Sequence, residues 1–104
     1  MEFMQITYKI ARHDGSVWRE VTGFAFETPG WPDFHACVRL GNRMKSNDDS
    51  LFDNWIIDHY ETGFAISLAG SFEEQEAAPP ALQRLLNEIG RERVEEVLRT
   101  YGVI

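Results

Sequence analysis

The chain has 104 residues, 43% apolar and 12% aromatic, with a formal net charge of −7. That length suits a single domain spanning 1–104 that buries a core without disulfides or metals, and the composition argues against disorder. No apolar run approaches the ~20 residues of a membrane-spanning helix, and the opening MEFMQITYKI alternates like a strand instead of resembling a secretory signal.

The lone Cys37 cannot form an internal disulfide, which points to a reducing, cytoplasmic setting. Charge is unevenly placed. Residues 1–45 hold Glu2, Asp14, Glu20, Glu27 and Asp33 against Lys9, Arg12, Arg19, Arg39, Arg43 and Lys45, so the excess of acid lies in residues 46–104. An acidic second half disfavours phosphate backbones and suits a basic protein surface. A solvated acidic face that keeps the protein soluble is the plainer reading of the same charges.

Along the chain, Met4, Ile6, Tyr8 and Ile10 alternate with Gln5, Thr7 and Lys9, which predicts a first strand. His13-Asp14-Gly15 fits a hairpin loop with glycine in the left-handed position, leading to a second strand over Val17–Phe26. That loop pairs Ile10 with Trp18 and Met4 with Phe24, gathers the apolar residues on one face and puts Trp18 in the core. The alternative, pairing Lys9 with Glu20, scatters them over both faces, and burial outweighs one exposed ion pair. TPGWPD (residues 28–33) breaks the strand. Residues 33–46 read as helix or strand. Ala, Arg, Leu, Met and Lys favour the helix, and Gly41-Asn42 is the main argument against it.

DNWIIDHYETGFAISLAG (residues 53–70) predicts a second hairpin around Glu61-Thr62-Gly63, pairing Tyr60 with Phe64, Asp58 with Ile66 and Ile56 with Leu68. Ser71-Phe72-Glu73-Glu74 has capping-box spacing for a helical turn, which AAPP interrupts. Leu82, Leu85, Leu86 and Ile89 share one helical face, as do Val94, Val97, Leu98 and Tyr101. These are two helices, or one bent at Gly90, closed by Gly102 with Val103 touching Leu98. The expected fold is α+β, in the order ββαββαα: an antiparallel sheet of two hairpins with helices on one face. Thr7, Lys9, Arg19, Trp55 and His59 would point away from the helices.

Chemistry is sparse. Asp58 and His59 are adjacent on a strand and face opposite ways, so they do not form an acid–base pair. Asp58 is either at an edge in water or buried and hydrogen-bonded. His35 and Cys37 share a face only if their segment is a strand. No metal-ligand spacing, phosphate loop or serine elbow occurs, so no metal, cofactor or catalytic residue is assigned. Cys37 reads as a buried apolar residue, and His13 as an exposed loop residue.

The partner-binding candidates are Trp31, as an exposed anchor or a staple for its loop, and the acids Asp48, Asp49, Asp53, Glu73, Glu74 and Glu76. The segment W-I-I-D-H-Y-E-T-G-F-A-I, Trp55 to Ile66, resembles a pattern in small proteins of phages and mobile elements, where a strand ending in His leads through Thr-Gly to another strand and a helix. Some of those act as anti-CRISPR or anti-restriction inhibitors. The resemblance implies a short, acidic, non-enzymatic protein that acts on host machinery, and it carries over no site residues. The expected function is a protein-binding module that occludes a basic surface. The alternatives are a homo-oligomer, such as a homodimer, joined through a sheet edge or the C-terminal helices, and a small enzyme or ligand-binding domain using His35, Cys37 or His59.

Overall fold

A computed structural model of the protein describes residues 3–11, 17–41, 44–45, 51–52 and 54–102. Strands β1 (Met4–Ala11), β2 (Val17–Phe26), β3 (Ala36–Leu40), β6 (Trp55–His59) and β7 (Ser71–Phe72) form an antiparallel sheet in the order β1-β2-β3-β6-β7. Between β3 and β6, β4 (Met44–Lys45) and β5 (Leu51–Phe52) pair as a separate ribbon. Helices α1 (Ala78–Ile89) and α2 (Arg91–Thr100) follow the sheet. The fold is α+β.

The first hairpin adopts the pairing that a single apolar face disfavours. Met4 lies opposite Ala25, Lys9 opposite Glu20 and Ile10 opposite Arg19, with a bulge before Ala11 pairs with Val17. Trp18 is consequently half exposed, with the Arg19 guanidinium 4.9 Å from its ring, and is not a core residue. The physical reason is that both faces of the sheet are buried. Phe24 and Phe26 join Ala36, Val38 and Ile57 under Leu82, Leu86, Val94 and Leu98 of the helices. Tyr8, Ile10 and Cys37 form a second cluster with Ile6, Val21 and Ala25. Apolar residues on both faces of the hairpin are what such a sheet requires.

Residues 36–40 are strand, against the helix that composition favours. β3 is central, paired with β2 on one side and β6 on the other, and Ala36 to Arg39 are all buried. Pairing on both edges and burial on both faces outweigh a weak helical preference. Gly41 follows the strand where an added Cβ would press on Ile56 Cδ1 and lie 3.1 Å from the Asn54 carbonyl oxygen, so a larger residue requires the Ile56 side chain to move.

The second hairpin is shorter than its sequence suggests. Asp58 bridges Ala65, one residue from the expected register, and the chain then leaves the sheet in a 3₁₀ turn over Ser67–Ala69. It returns as β7, where Trp55 pairs with Phe72. Ser71-Phe72 is thus strand, and the helical turn starts later, at Gln75–Ala77. Pro79 and Pro80 lie in the first turn of α1, where a missing N–H costs nothing. Gly90, at φ 93°, bends the chain between the helices. The Val103 contact lies outside the described residues.

The sheet is strongly curled. Three strand spacings separate β1 from β6, roughly 14 Å in a flat sheet, yet the Tyr8 hydroxyl on β1 donates to Asp58 Oδ2 on β6 at 2.7 Å. The turn after β6 also reaches β1, where Ala11 N–H donates to the Gly63 carbonyl at 2.9 Å.

Candidate binding cleft

The concave side of the sheet holds a buried polar centre. Asp58 is fully buried and takes hydrogen bonds on one oxygen, from Tyr8 Oη and from Arg39 Nε at 2.6 Å. Each partner comes from a different strand, β1, β3 and β6, so the trio pins the curl. Burial raises the Asp58 pKa against the opposing pull of its two donors. Burial and the nearby carboxylate together push the Tyr8 phenol upward. Cys37, across the sheet from Asp58, has its thiol pushed up to about 12, by burial first and then by Asp58 and Glu61. A thiol held protonated is a poor nucleophile.

His59 points to the opposite face, as its position next to Asp58 dictates. It is buried, packs on Phe34 with ring centroids 4.8 Å apart, and shares a hydrogen bond of 2.9 Å between Nδ1 and Thr62 Oγ1. Its Nε2 lies 3.3 Å from Glu61 Oε2 but makes no aligned hydrogen bond. Burial lowers its pKa more than Glu61 raises it. Trp55 likewise packs inward, 6.2 Å from the Phe24 ring, so neither residue faces water as expected. His35, in contrast, is exposed and bonds the other oxygen of Glu61 through Nδ1.

An open cleft of about 1360 Å³ runs along the start of β1, with Met4, Ile6, Ala25 and Cys37 on one part of its lining and Tyr60 and Glu61 on another. His35 and Glu27 also line it. Imidazole, thiol and carboxylate thus share one cleft, although the thiol is buried and protonated. Among the described residues no group of three or more His, Cys, Asp or Glu side chains is arranged to hold a metal ion.

The cleft adjoins an unpaired sheet edge. β1 ends the strand order, and among the described residues its outer side is covered only where the turn reaches it. Ala11 N–H bonds Gly63 O, and a Cβ on Gly63 would lie 2.4 Å from the Lys9 carbonyl oxygen. Residues 9 and 11 therefore present their backbone groups outward. By strand alternation so do Gln5 and Thr7, and neither has a backbone partner on that side among the described residues.

Of the partner-binding residues expected from sequence, Trp31 lies apart from Glu73, Glu74 and Glu76. Trp31 is buried, and its indole N–H donates to Asn87 Oδ1 at 3.0 Å while Arg91 stacks 4.3 Å from its ring. It is the staple that fixes the 28–34 loop to the helices, and it is not an exposed anchor. Glu73, Glu74 and Glu76 are exposed just before α1. The length of α1, about 18 Å at 1.5 Å per residue, separates them from the Trp31 end. Asp48, Asp49 and Asp53 lie outside the described residues.

Sequence reasoning missed Tyr8, Arg39 and Glu61. Tyr8 carried a signal, a hydroxyl within the apolar set Met4, Ile6, Tyr8 and Ile10, which demands a partner when buried; Arg39, on the strand face shared with His35 and Cys37, carried none. Glu61 sat within turn chemistry and gave none. Compared with protein-family models, curated proteins and solved structures, the chain has no match.

Proposed function

We propose that the chain is a non-catalytic, cytoplasmic protein-binding module that covers the basic surface of a partner. Its role would be that of an inhibitor or accessory factor of the phage or mobile-element kind, anti-CRISPR or anti-restriction in type. The observation that carries this reading is the exterior charge. The chain has a net charge of −7, and Glu73, Glu74 and Glu76 stand exposed with no cation paired to them among the described residues. No helix among the described residues is long and apolar enough to cross a membrane, and the reduced Cys37 supports the cytoplasmic part of the proposal.

Affinity capture from a cell lysate at low and high salt, with mass spectrometry, tests this. A basic protein should be retained at low salt, released at high salt, and lost to the triple variant E73K/E74K/E76K. Retention indifferent to both salt and charge reversal would remove the electrostatic reading.

A second reading is favoured by one observation, that His35, Cys37 and Glu61 line the same cleft. On that reading the cleft takes a small ligand. The elevated thiol pKa argues for binding over covalent chemistry there.

A further inference from the structure

We propose that the open half of the outer β1 edge is the docking site for an extended, lysine- or arginine-bearing segment of the partner, which joins the sheet as an added strand. This rests on the reading of the partner as a basic protein and gives its binding a geometry.

Four features converge on that edge. Gln5 and Thr7 direct outward backbone groups that no described residue pairs, and main-chain hydrogen bonds from an added strand would satisfy them. The same edge is sealed by the Gly63 turn at residues 9–11, so an incoming strand has a fixed stop. The free portion, residues 3–7, is about 16 Å long at 3.3 Å per residue, room for one short strand. Beside it, Met4, Ile6, Ala25 and Tyr60 line the cleft as an apolar receptor for the alternate side chains of that strand.

Charge complementarity decides the occupant. Glu27 and Glu61 are the carboxylates lining the cleft, and His35, bonded to Glu61, is the imidazole beside them. Tyr60, about half exposed, offers a ring face to a cation at the same place. A second copy of this chain would bring its own Glu27 and Glu61 to the contact, whereas a basic segment pairs with these carboxylates. Alternating apolar and cationic side chains match a site with an apolar floor and an acidic rim.

The test uses a short synthetic peptide alternating valine and lysine, titrated into the isotopically labelled protein at low salt. Binding should slow amide exchange at Gln5 and Thr7 and shift the resonances of Ile6 and Tyr60. Thr7→Pro removes one outward donor at an edge position that tolerates proline, and should weaken binding at least about tenfold with an unchanged circular dichroism spectrum. If that variant fails to fold, Gln5→Pro carries the same test. E73K/E74K/E76K should leave the peptide's effects on β1 in place.

Perturbation confined to Glu73–Glu76 would overturn the edge proposal and leave the acidic-surface reading standing. No binding at all at low salt would overturn both. Concentration-dependent protection of Gln5 and Thr7 without peptide would assign the edge to a second copy and overturn the proposal.

Discussion

Arg39 and Asp58 show what one buried pair demands of its surroundings. Their charges meet at 2.6 Å inside the curl, and Tyr8 adds a third strand to the contact. Removing one member strands the other, so Arg39→Met should cost about 3–5 kcal/mol in urea unfolding. Tyr8→Phe removes one hydrogen bond to a charged group and should cost about 1.5–3 kcal/mol. Losses within a few tenths of a kcal/mol would mean the trio does not exist in solution. Cys37 should resist iodoacetamide near neutral pH, with reactivity emerging only as pH approaches 12. A thiol titrating below pH 8 would restore the catalytic reading of the cleft. His59 makes stability depend on pH in a defined direction. The folded protein keeps it neutral, while the unfolded chain takes a proton near the ordinary 6.5. Stability is therefore complete above that pH and is lost as pH falls below it, by up to about 1.4 kcal/mol per pH unit for this group. His59→Phe should flatten that part of the urea-midpoint profile, and an unaltered slope would show that the imidazole is not buried.

At the scale of elements, Gly63 is the point where the sheet closes on itself. It has φ 74°, and an added Cβ would sit 2.4 Å from the Lys9 carbonyl oxygen and 2.9 Å from Ala11 N. Gly63→Ala should cost at least about 2 kcal/mol from backbone strain plus the clash, and should expose the Ala11 amide to exchange. A stable variant with that amide still protected would contradict the closure. The same elements show how far the sequence could be read. The helices were legible, because Leu82, Leu86, Val94 and Leu98 repeat at helical spacing and are buried, although Ile89, Val97 and Tyr101 of the same expected faces are exposed. The opposed directions of Asp58 and His59 followed from strand geometry alone. The β1–β2 register was not legible, because one apolar face was assumed where the curl buries two. β3 escaped for a related reason. Its strand character comes from neighbours on both edges, which no local preference encodes. The cleft followed neither from spacing nor from composition. It lies where the start of β1 and the segment Tyr60–Glu61 share a lining.

On the scale of the whole molecule, the curl divides the work. The helix face carries most of the core, and the concave face locks Asp58, Arg39, Tyr8 and Cys37 into contacts that leave them poorly placed for chemistry. Among what faces outward are acidic side chains, a cleft and part of a strand edge, the features on which the proposed binding of another polypeptide rests. The open β1 edge is decided by residue-resolved amide exchange of the free protein. Exchange should be slow at Ile6, Tyr8 and Ala11, whose amides are bonded within the sheet or to Gly63, and fast at Gln5 and Thr7. Protection of Gln5 and Thr7 equal to that of Ile6 and Tyr8 would show that the edge is already covered, and would contradict the account.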